Sequence, residues 1–256
     1  MAHALDLIWW FLEAQGTGVR RGQPATWRDD DWSPSGGNPG LHSAYGLAQC
    51  EAAWFVRSKP RVQRVWAGLF GVRTDELITS FDGISLLRPS GIDASWQIGA
   101  GNFHIDGRRH EGGFDPERRA VCQGLVNLLP TAAHKGGNVL VPRSHHRYHE
   151  LSQKYSDHGL KPDTGDIIQN NPEEIAGAIK VEMLPGDALV WDDRTIHGNG
   201  TSEKEKTARG FCFLTHLRTL RNTIDDLTRQ ARDEHKRTGR NGCFRRSGRG
   251  PRLDGT

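Results

Sequence analysis

The residues with the clearest capacity for chemistry are a histidine and an aspartate two positions apart, His104 and Asp106. They lie at the end of a predicted strand, where alternate residues point to the same side, so both side chains can reach one metal ion. His197 follows a predicted strand, turn and strand further along the chain and could supply a third ligand. Two histidines and one carboxylate leave half of an octahedral ion open, an arrangement suited to non-haem Fe(II) and oxygen chemistry.

A basic residue, Arg209, belongs to the same predicted interior. It lies on the next predicted strand after His197, close to Phe211 and Phe213. An arginine that points into a β core needs an anionic partner, and a carboxylate fits its planar guanidinium. The alternative is a surface ion pair with an acid such as Glu203.

The elements that must position these residues are mainly short strands. Apolar or alternating runs, separated by turn-forming residues, predict strands near residues 77–88, 95–105, 120–129, 138–142, 179–184, 187–192 and 207–218. Helices are predicted over 5–14 and 46–70, the second broken at Pro60, and 145–178 is predicted to be a loop with a short helix. Strands without regular intervening helices indicate an antiparallel sandwich or jelly roll.

Length and charge set the domain organisation. The chain has 256 residues, enough for a core of its own, and we expect one domain over 1–220 with a helical cover (about 1–74) and a β core (about 75–220). Residues 221–236 are predicted to form a charged helix and 237–256 a disordered tail, and the chain from Lys236 onward contains seven basic residues and one acid. The net charge of only +3 leaves the rest of the chain without the basic surface of a nucleic-acid-binding protein.

Cysteine usage and hydropathy bear on the compartment. The four cysteines are scattered and contain no CxxC pair, which argues against a disulfide framework or a zinc ribbon. No apolar run is long enough to span a bilayer. We therefore expect a cytoplasmic protein without membrane contact, whose partner is a small-molecule substrate and for which nucleic-acid binding is not expected.

The ordered set of these residues resembles the phytanoyl-CoA dioxygenase-like Fe(II)/2-oxoglutarate oxygenases. The resemblance runs from about Trp54 to Leu217 and is carried by several stretches in the family's order and spacing. They are His104-x-Asp106, the Pro185-Gly186-Asp187 turn, His197, Arg209, Ser80-Phe81-Asp82-Gly83, Cys122-Gln123-Gly124, and the stretch from Gly136 to His145.

The resemblance implies a mainly β protein with a double-stranded β-helix core (a jelly roll, cupin-like) and N-terminal helices packed outside it. It implies that His104, Asp106 and His197 hold Fe(II), that Arg209 pairs with the far carboxylate of 2-oxoglutarate, and that Gln123 is a second contact to this cosubstrate. The reaction would consume O2 and release succinate and CO2 while a substrate C–H bond is oxidised. Hydroxylation is favoured, with desaturation or cyclisation as alternatives. Halogenation is disfavoured because related halogenases carry a small residue where this chain has Asp106.

The substrate is the least determined feature. Arg88, Arg143, Trp191 and Phe103 flank or line the predicted pocket, and the arginines suggest a small polar or carboxylate-bearing metabolite. Arg143 stands where the family often has glycine. Ordinary solvated charges and core aromatics are the simpler alternatives for these four residues. Two other functions stay open, a non-catalytic jelly-roll binding protein and an oxygenase acting on a protein or nucleic acid, and the oligomeric state is not determined.

Overall fold

The computed structural model describes nine segments of the chain, and the first compact unit spans Met1–Arg221. The described segments are 1–32, 41–42, 49–79, 83–97, 101–105, 122–132, 135–154, 171–201 and 212–221. Two predicted site residues, Asp106 and Arg209, lie outside them, as does the predicted tail from 222 onward. None of the helices in the described segments has the length and apolar character required to cross a bilayer.

Ten described strands form two antiparallel sheets. Sheet A runs in the order β1-β3-β10-β5-β8, with β2 also paired to β10, and sheet B in the order β4-β9-β6-β7. The strands are β1 (Leu41–His42), β2 (Leu77–Thr79), β3 (Ile84–Leu87), β4 (Gly101–His104), β5 (Cys122–Asn127), β6 (Gly137–Leu140), β7 (Ile179–Lys180), β8 (Ala188–Asp192), β9 (His197–Gly200) and β10 (Cys212–Arg221).

The chain passes back and forth between the two sheets. β3, β5, β8 and β10 belong to sheet A, whereas β4, β6, β7 and β9 belong to sheet B. A small cluster that includes Leu125, Trp191 and Leu140 fills the space between the sheets. Two antiparallel sheets joined by such crossings form a jelly roll, so the predicted fold class is confirmed.

Helices cover the outer face of sheet A. These are α1 (Ala2–Ala14), α2 (Asp29–Trp32), α3 (Glu51–Arg57) and α4 (Pro60–Phe70). Their buried residues share one core with the outward-facing Ile84, Leu86 and Val126 of the sheet. Pro60 begins α4, as its fixed φ and missing N–H favour, and so produces the predicted break in the 46–70 helix.

The outer face of sheet B carries a second, smaller core. It lies beneath α5 (Tyr148–Lys154), and its members are Phe103, Ile105, Val139, Val141, Tyr148, Leu151 and Ile196. Glu174, in the short helix α6 (Pro172–Ile175), has a fully buried side chain. Lys154 and Arg147 reach its carboxylate at 2.7 and 2.9 Å, so ion pairs join α6 to the segment 147–154.

Several predicted boundaries differ from those observed. β9 was not among the predicted strands, because His197-Gly198-Asn199-Gly200 has little β propensity and forms a strand only between β4 and β6. The 95–105 strand is confined to Gly101–His104, since Ala94–Trp96 forms a short 3-10 helix capped by Asp93. Arg221, the first residue of the predicted C-terminal helix, instead ends β10 opposite Leu77, and the rest of that predicted helix lies outside the described residues.

Candidate functional site

The two predicted histidine ligands face each other across neighbouring strands. His104 ends β4, His197 begins β9, and the antiparallel register places them directly opposite. Directly opposed residues of an antiparallel pair point to the same face of the sheet. Their ring centroids are 4.3 Å apart, and His197 is only 6% exposed. The structure therefore brings together two residues that lie far apart in the sequence.

Backbone carbonyls orient both imidazole rings in the same way. Nδ1 of His104 lies 2.5 Å from the carbonyl oxygen of Asn102, and Nδ1 of His197 lies 2.9 Å from that of Thr195. A carbonyl oxygen can only accept, so in the neutral ring each Nδ1 carries the proton and each Nε2 keeps its lone pair. Metal-binding histidines commonly have one ring nitrogen held by a carbonyl in this way, which fixes the tautomer and the ring orientation.

A β-bulge in β4 sets the position of His104. Between the register pairs Gly101–Asn199 and His104–His197, β4 has two residues where β9 has one. Asn102, within the bulge, has a left-handed backbone with φ of 54°. Bulges recur beside active sites because they redirect a side chain. Here the bulge returns His104 to the face that His197 occupies.

The loop before His197 is held by an internal ion pair. The carboxylate of Asp192 accepts hydrogen bonds from the guanidinium of Arg194, at 2.7 and 2.5 Å, and from its backbone N–H. Burial opposes ionisation of Asp192, but these bonds outweigh it and lower the pKa of the carboxyl group. Thr195, whose carbonyl orients His197, donates its backbone N–H to the carbonyl of Asp192.

Two further predicted residues lie on the inner face of sheet A. Trp191 is 7% exposed, and its ring centroid is 5.3 Å from that of His197. Its indole N–H donates to Oε1 of the buried Gln123 at 2.9 Å. This bond fixes Oε1 as an acceptor and so orients the amide of Gln123. Both residues thus lie in the interior near the histidine pair, and their roles toward a cosubstrate or substrate stay predictions.

The donor set suits a metal ion. The two imidazoles on one side of the interior are two of the three predicted ligands, and neutral imidazole binds iron well. In the segments that the structure describes, no third histidine, cysteine or acid completes a metal group. The predicted third ligand, Asp106, follows the described residue Ile105 by one position and lies outside those segments.

Phe103 does not line the interior. It precedes His104 on β4, points to the opposite face, and packs in the outer core of sheet B with Ile105 and Val139. This packing gives no support to the predicted contact with substrate, because strand alternation sends Phe103 away from the histidine pair.

Arg88 is held by the helical cover. Its guanidinium donates to the carbonyl of Trp27 at 2.5 Å, pairs with Asp29, and lies over the rings of Trp96 and Trp32, 4.7 and 5.7 Å from the centroids. These contacts lie among the buried tryptophans of the cover, on the outer side of sheet A. They support a structural role and give no support to the predicted contact with substrate.

Arg143 is exposed and precedes a 3-10 helix, Ser144–Arg147. Its backbone is left-handed, with φ of 64°, which explains why glycine is favoured at this position. Ser144 joins this turn to the site loop, because its hydroxyl accepts the backbone N–H of Ile196 at 2.8 Å. A contact between Arg143 and substrate stays a prediction.

Two interior amides escaped the sequence prediction. Asn138 on β6 lies opposite Asn199 on β9, and the next inner-face pair along these strands is Leu140 with His197. Asn138 is 9% exposed, and its Oδ1 is buried without a hydrogen-bond partner among the described residues. Alternation along β6 could have placed Asn138 inside, but its position beside the histidines depends on the pairing with the unpredicted strand β9.

Comparison with known proteins agrees with this geometry. Residues 96–209 match the family model for phytanoyl-CoA dioxygenase (PhyH). A relative from Aspergillus versicolor, "Ava biosynthesis cluster protein O", is 28% identical over 186 residues, which is 66% of this chain and 56% of the relative. The chain therefore spans little more than half of that relative's length.

Solved structures give more distant matches. AviO1 from Streptomyces viridochromogenes Tue57 is 17% identical, with a TM-score of 0.48, over 84% of this chain and 80% of that one. EvdO2 from Micromonospora carbonacea var. aurantiaca, crystallised with 2-oxoglutarate, is 18% identical, with a TM-score of 0.42, over 68% and 67%.

The matched range 96–209 contains the histidine pair, the predicted third ligand and the predicted cosubstrate arginine. Over residues 96–209 the chain is therefore similar to the phytanoyl-CoA dioxygenase family, in agreement with the resemblance that its sequence shows.

Proposed function

We propose that this protein is a non-haem Fe(II)- and 2-oxoglutarate-dependent dioxygenase that oxidises a C–H bond of a small molecule. The observation that carries the proposal is the opposed pair His104 and His197, with each Nδ1 held by a backbone carbonyl. Asp106 is proposed as the third ligand, since two histidines and a carboxylate bind iron and leave open positions. The bound iron would couple decarboxylation of 2-oxoglutarate, giving succinate and CO2, to oxidation of the substrate.

The protein's own contribution is orientation and exclusion of water. The carbonyls of Asn102 and Thr195 hold the two rings in one tautomer, so no proton has to leave Nε2 before metal binding. Trp191 covers His197 from sheet A and limits access of water to that side. Arg209 is proposed to pair with the far carboxylate of 2-oxoglutarate, and Gln123 to be a second contact.

Hydroxylation of a small polar metabolite is the proposed outcome, with desaturation or cyclisation as alternatives. The A. versicolor relative is named for a biosynthesis cluster, which supports a small-molecule substrate. The polar inner-face residues that the structure describes near the histidines are Gln123, Asn138 and Asn199, whose amides can hydrogen-bond polar groups of a substrate. We propose a cytoplasmic location, in keeping with the free thiols of Cys50 and Cys122.

The histidine pair is tested by anaerobic titration with Fe(II) and 2-oxoglutarate, which gives a visible charge-transfer band when the keto acid is chelated to the metal. His104→Ala and His197→Ala are each expected to abolish the band and the release of succinate. His146→Ala is the matched control, because His146 is exposed and belongs to the 3-10 helix after Arg143. Wild-type protein that binds neither Fe(II) nor 2-oxoglutarate would contradict the proposal and favour a non-catalytic jelly-roll binding protein.

The cosubstrate arginine is tested separately. Arg209→Ala is expected to weaken 2-oxoglutarate binding at least tenfold while Fe(II) affinity is kept, because a bidentate charged contact is lost. Arg218→Ala is the informative comparison, since the register of β10 places Arg218 opposite Gln123. Equal loss of metal and 2-oxoglutarate in Arg209→Ala, or a loss only in Arg218→Ala, would contradict the assigned role.

A further inference from the structure

We propose that Glu174 is a positioning residue for the iron ligands, a role that rests on the proposed function. The side chain of Glu174 is fully buried, and the proposed reaction makes no use of it. A buried carboxylate costs free energy unless cations pair with it, so its presence calls for an explanation. Through Arg147 and Lys154 it holds α5 against the strands that carry His104 and His197.

This one carboxylate holds both ends of α5. Lys154, the last residue of the helix, donates from Nζ to Oε1 of Glu174 at 2.7 Å. Arg147 directly precedes the helix, and its Nη1 lies 2.9 Å from Oε2. A helix of 7 residues is too short to be stable alone, so contacts of this kind determine whether it stays in place.

Burial distinguishes Glu174 from the other acids that these cations contact. Arg147 also pairs with Glu150, and Lys154 lies 3.6 Å from Glu173, but both of those acids are mostly exposed. Exposed ion pairs contribute little to stability, whereas charges interact strongly where water is excluded. The pairs with Glu174 are therefore the ones that fasten α5.

The inner side of α5 packs directly behind the iron ligands. The buried residues of this interface come from the helix and from the chain segments next to the ligands. They are Tyr148 and Leu151 of α5, and Phe103, Ile105 and Ile196 of the ligand segments. His104 lies between two of these residues in the chain, and His197 follows the third. Strand alternation directs the histidines inward and these neighbours outward, so the position of α5 is transmitted to each histidine through a single peptide unit.

A hydrogen bond makes a second connection to His197. The 3-10 helix before α5 begins at Ser144, which is buried. The Ser144 hydroxyl accepts the backbone N–H of Ile196 at 2.8 Å and donates to the carbonyl of Val141 at 2.8 Å. The segment that Glu174 fastens is thus bonded to the residue that precedes a ligand. Groups that hold ligands in position contribute to metal affinity, because less ordering is then required when the ion binds.

Glu174→Gln tests the role in the full chain, because it removes the charge and keeps the shape of the side chain. Fe(II) affinity is measured anaerobically with 2-oxoglutarate by the charge-transfer band, and hydrogen exchange at the backbone amide of Ile196 is measured in metal-free protein. We expect about tenfold weaker Fe(II) binding and faster exchange at Ile196, at a temperature where the protein is fully folded. Glu150→Gln, which removes the exposed partner of Arg147, is the matched control and should change both quantities by less than about twofold.

The contrary results are distinct from one another. A lower melting temperature with unchanged Fe(II) affinity in Glu174→Gln would overturn the proposal and assign the residue to stability alone. Weaker Fe(II) binding with unchanged exchange at Ile196 would also overturn it, because the effect would then not pass through the ligand segments. Wild-type protein that gives no charge-transfer band would instead defeat the proposed function itself.

A second pair of variants keeps the proposal testable if Glu174→Gln does not fold. Lys154 is 44% exposed, so its substitution leaves no unpaired charge in the interior. Lys154→Gln is expected to weaken Fe(II) binding, and Lys154→Arg to retain it, because the guanidinium restores a cation beside Glu174. Equal Fe(II) affinity in these two variants would overturn the role of the ion pair.

Discussion

At the scale of single residues, Arg143 occupies a backbone conformation that its side chain disfavours. Its φ of 64° lies in the left-handed region, where a Cβ atom crowds the backbone and glycine is preferred. The turn it forms leads to Ser144, whose hydroxyl holds the backbone of Ile196 next to His197. Backbone strain of this kind is found at functional sites, so the conformation of Arg143 supports the prediction that its side chain is used there.

The backbone strain can be measured by a pair of substitutions. Arg143→Gly is expected to raise the free energy of unfolding by about 0.5–1 kcal/mol relative to Arg143→Ala, because Ala keeps the Cβ atom and Gly removes it. Both variants lose the guanidinium, so the difference between them reports the backbone alone. Urea denaturation provides the measurement, and an Arg143→Ala variant as stable as Arg143→Gly would contradict the explanation.

Asp192 stabilises the loop that leads to His197. Its ion pair with Arg194 is mostly buried, with 19% and 29% of the two side chains exposed. Asp192→Asn is expected to lower the free energy of unfolding at pH 7 by about 1–2 kcal/mol, as for other hydrogen bonds to charged groups. Asp6→Asn is the matched control, because the Asp6–Arg21 pair is more than half exposed and a far smaller change is expected.

The same variant has a defined dependence on pH. The pKa of Asp192 is lowered in the folded protein, so its ionised form stabilises the fold above the ordinary carboxyl pKa of about 4. This contribution is lost as the pH falls through the lowered pKa. The stability difference between wild type and Asp192→Asn should therefore be constant between pH 8 and 5 and shrink below about pH 4. A difference that grows on acidification would contradict this account.

At the scale of elements, the close approach of β4 and β9 determines how the histidines meet. A Cβ atom added to Gly198 would lie 2.7 Å from the carbonyl oxygen of Gly101 and 3.1 Å from Cδ1 of Phe103. The backbone at Gly198 does not have a positive φ, so glycine is needed there for space alone. The bulge that returns His104 to the inner face thus depends on a neighbour without a side chain.

Gly198→Ala is expected to push β4 away from β9. It should destabilise the fold by about 1–3 kcal/mol, as overpacking does, and reduce Fe(II) affinity because His104 and His197 separate. Gly68→Ala, on α4 with nothing near the added atom, is the control and should leave metal affinity unchanged. Thermal melting and metal titration measure the two effects, and unchanged Fe(II) affinity in Gly198→Ala would contradict the role assigned to this approach.

At the scale of the whole molecule, every described strand and both histidines belong to the unit Met1–Arg221. Deletion of residues 237–256 removes six of the seven basic residues of the chain from Lys236 onward and is expected to leave the melting temperature and the turnover of 2-oxoglutarate unchanged. A matched substitution of those basic residues by glutamine in the full chain separates the effect of charge from that of length. A clear drop in small-molecule turnover in both variants would contradict this prediction and favour a macromolecular substrate steered by the tail.

The helical cover on sheet A was predicted only in part from the sequence. The tryptophans at 9, 27, 32 and 96 pack with ring centroids 5.5 to 6.0 Å apart, and Arg88 contacts two of them. The sequence predicted an ordered helical cover but assigned Arg88 to the pocket. Arg88 directly follows β3, and a residue in that position can turn toward either face of the sheet. Its contacts with the packed tryptophans place it on the outer face of sheet A.

The sequence by itself determined the chemistry. The short strands separated by turn residues predicted a jelly roll, and the types and order of His104, Asp106, His197 and Arg209 carried the resemblance to the phytanoyl-CoA dioxygenase-like family, because donor chemistry and strand periodicity are local properties. The tertiary structure alone decided what the interior contains. The pairing of β9 with β4 and β6, which no local propensity encodes, brings His197 to His104 and Asn138 beside Asn199, and alternation from the bulge sends Phe103 outward. These placements depend on contacts between residues distant in the chain, so they exist only when both sheets have formed.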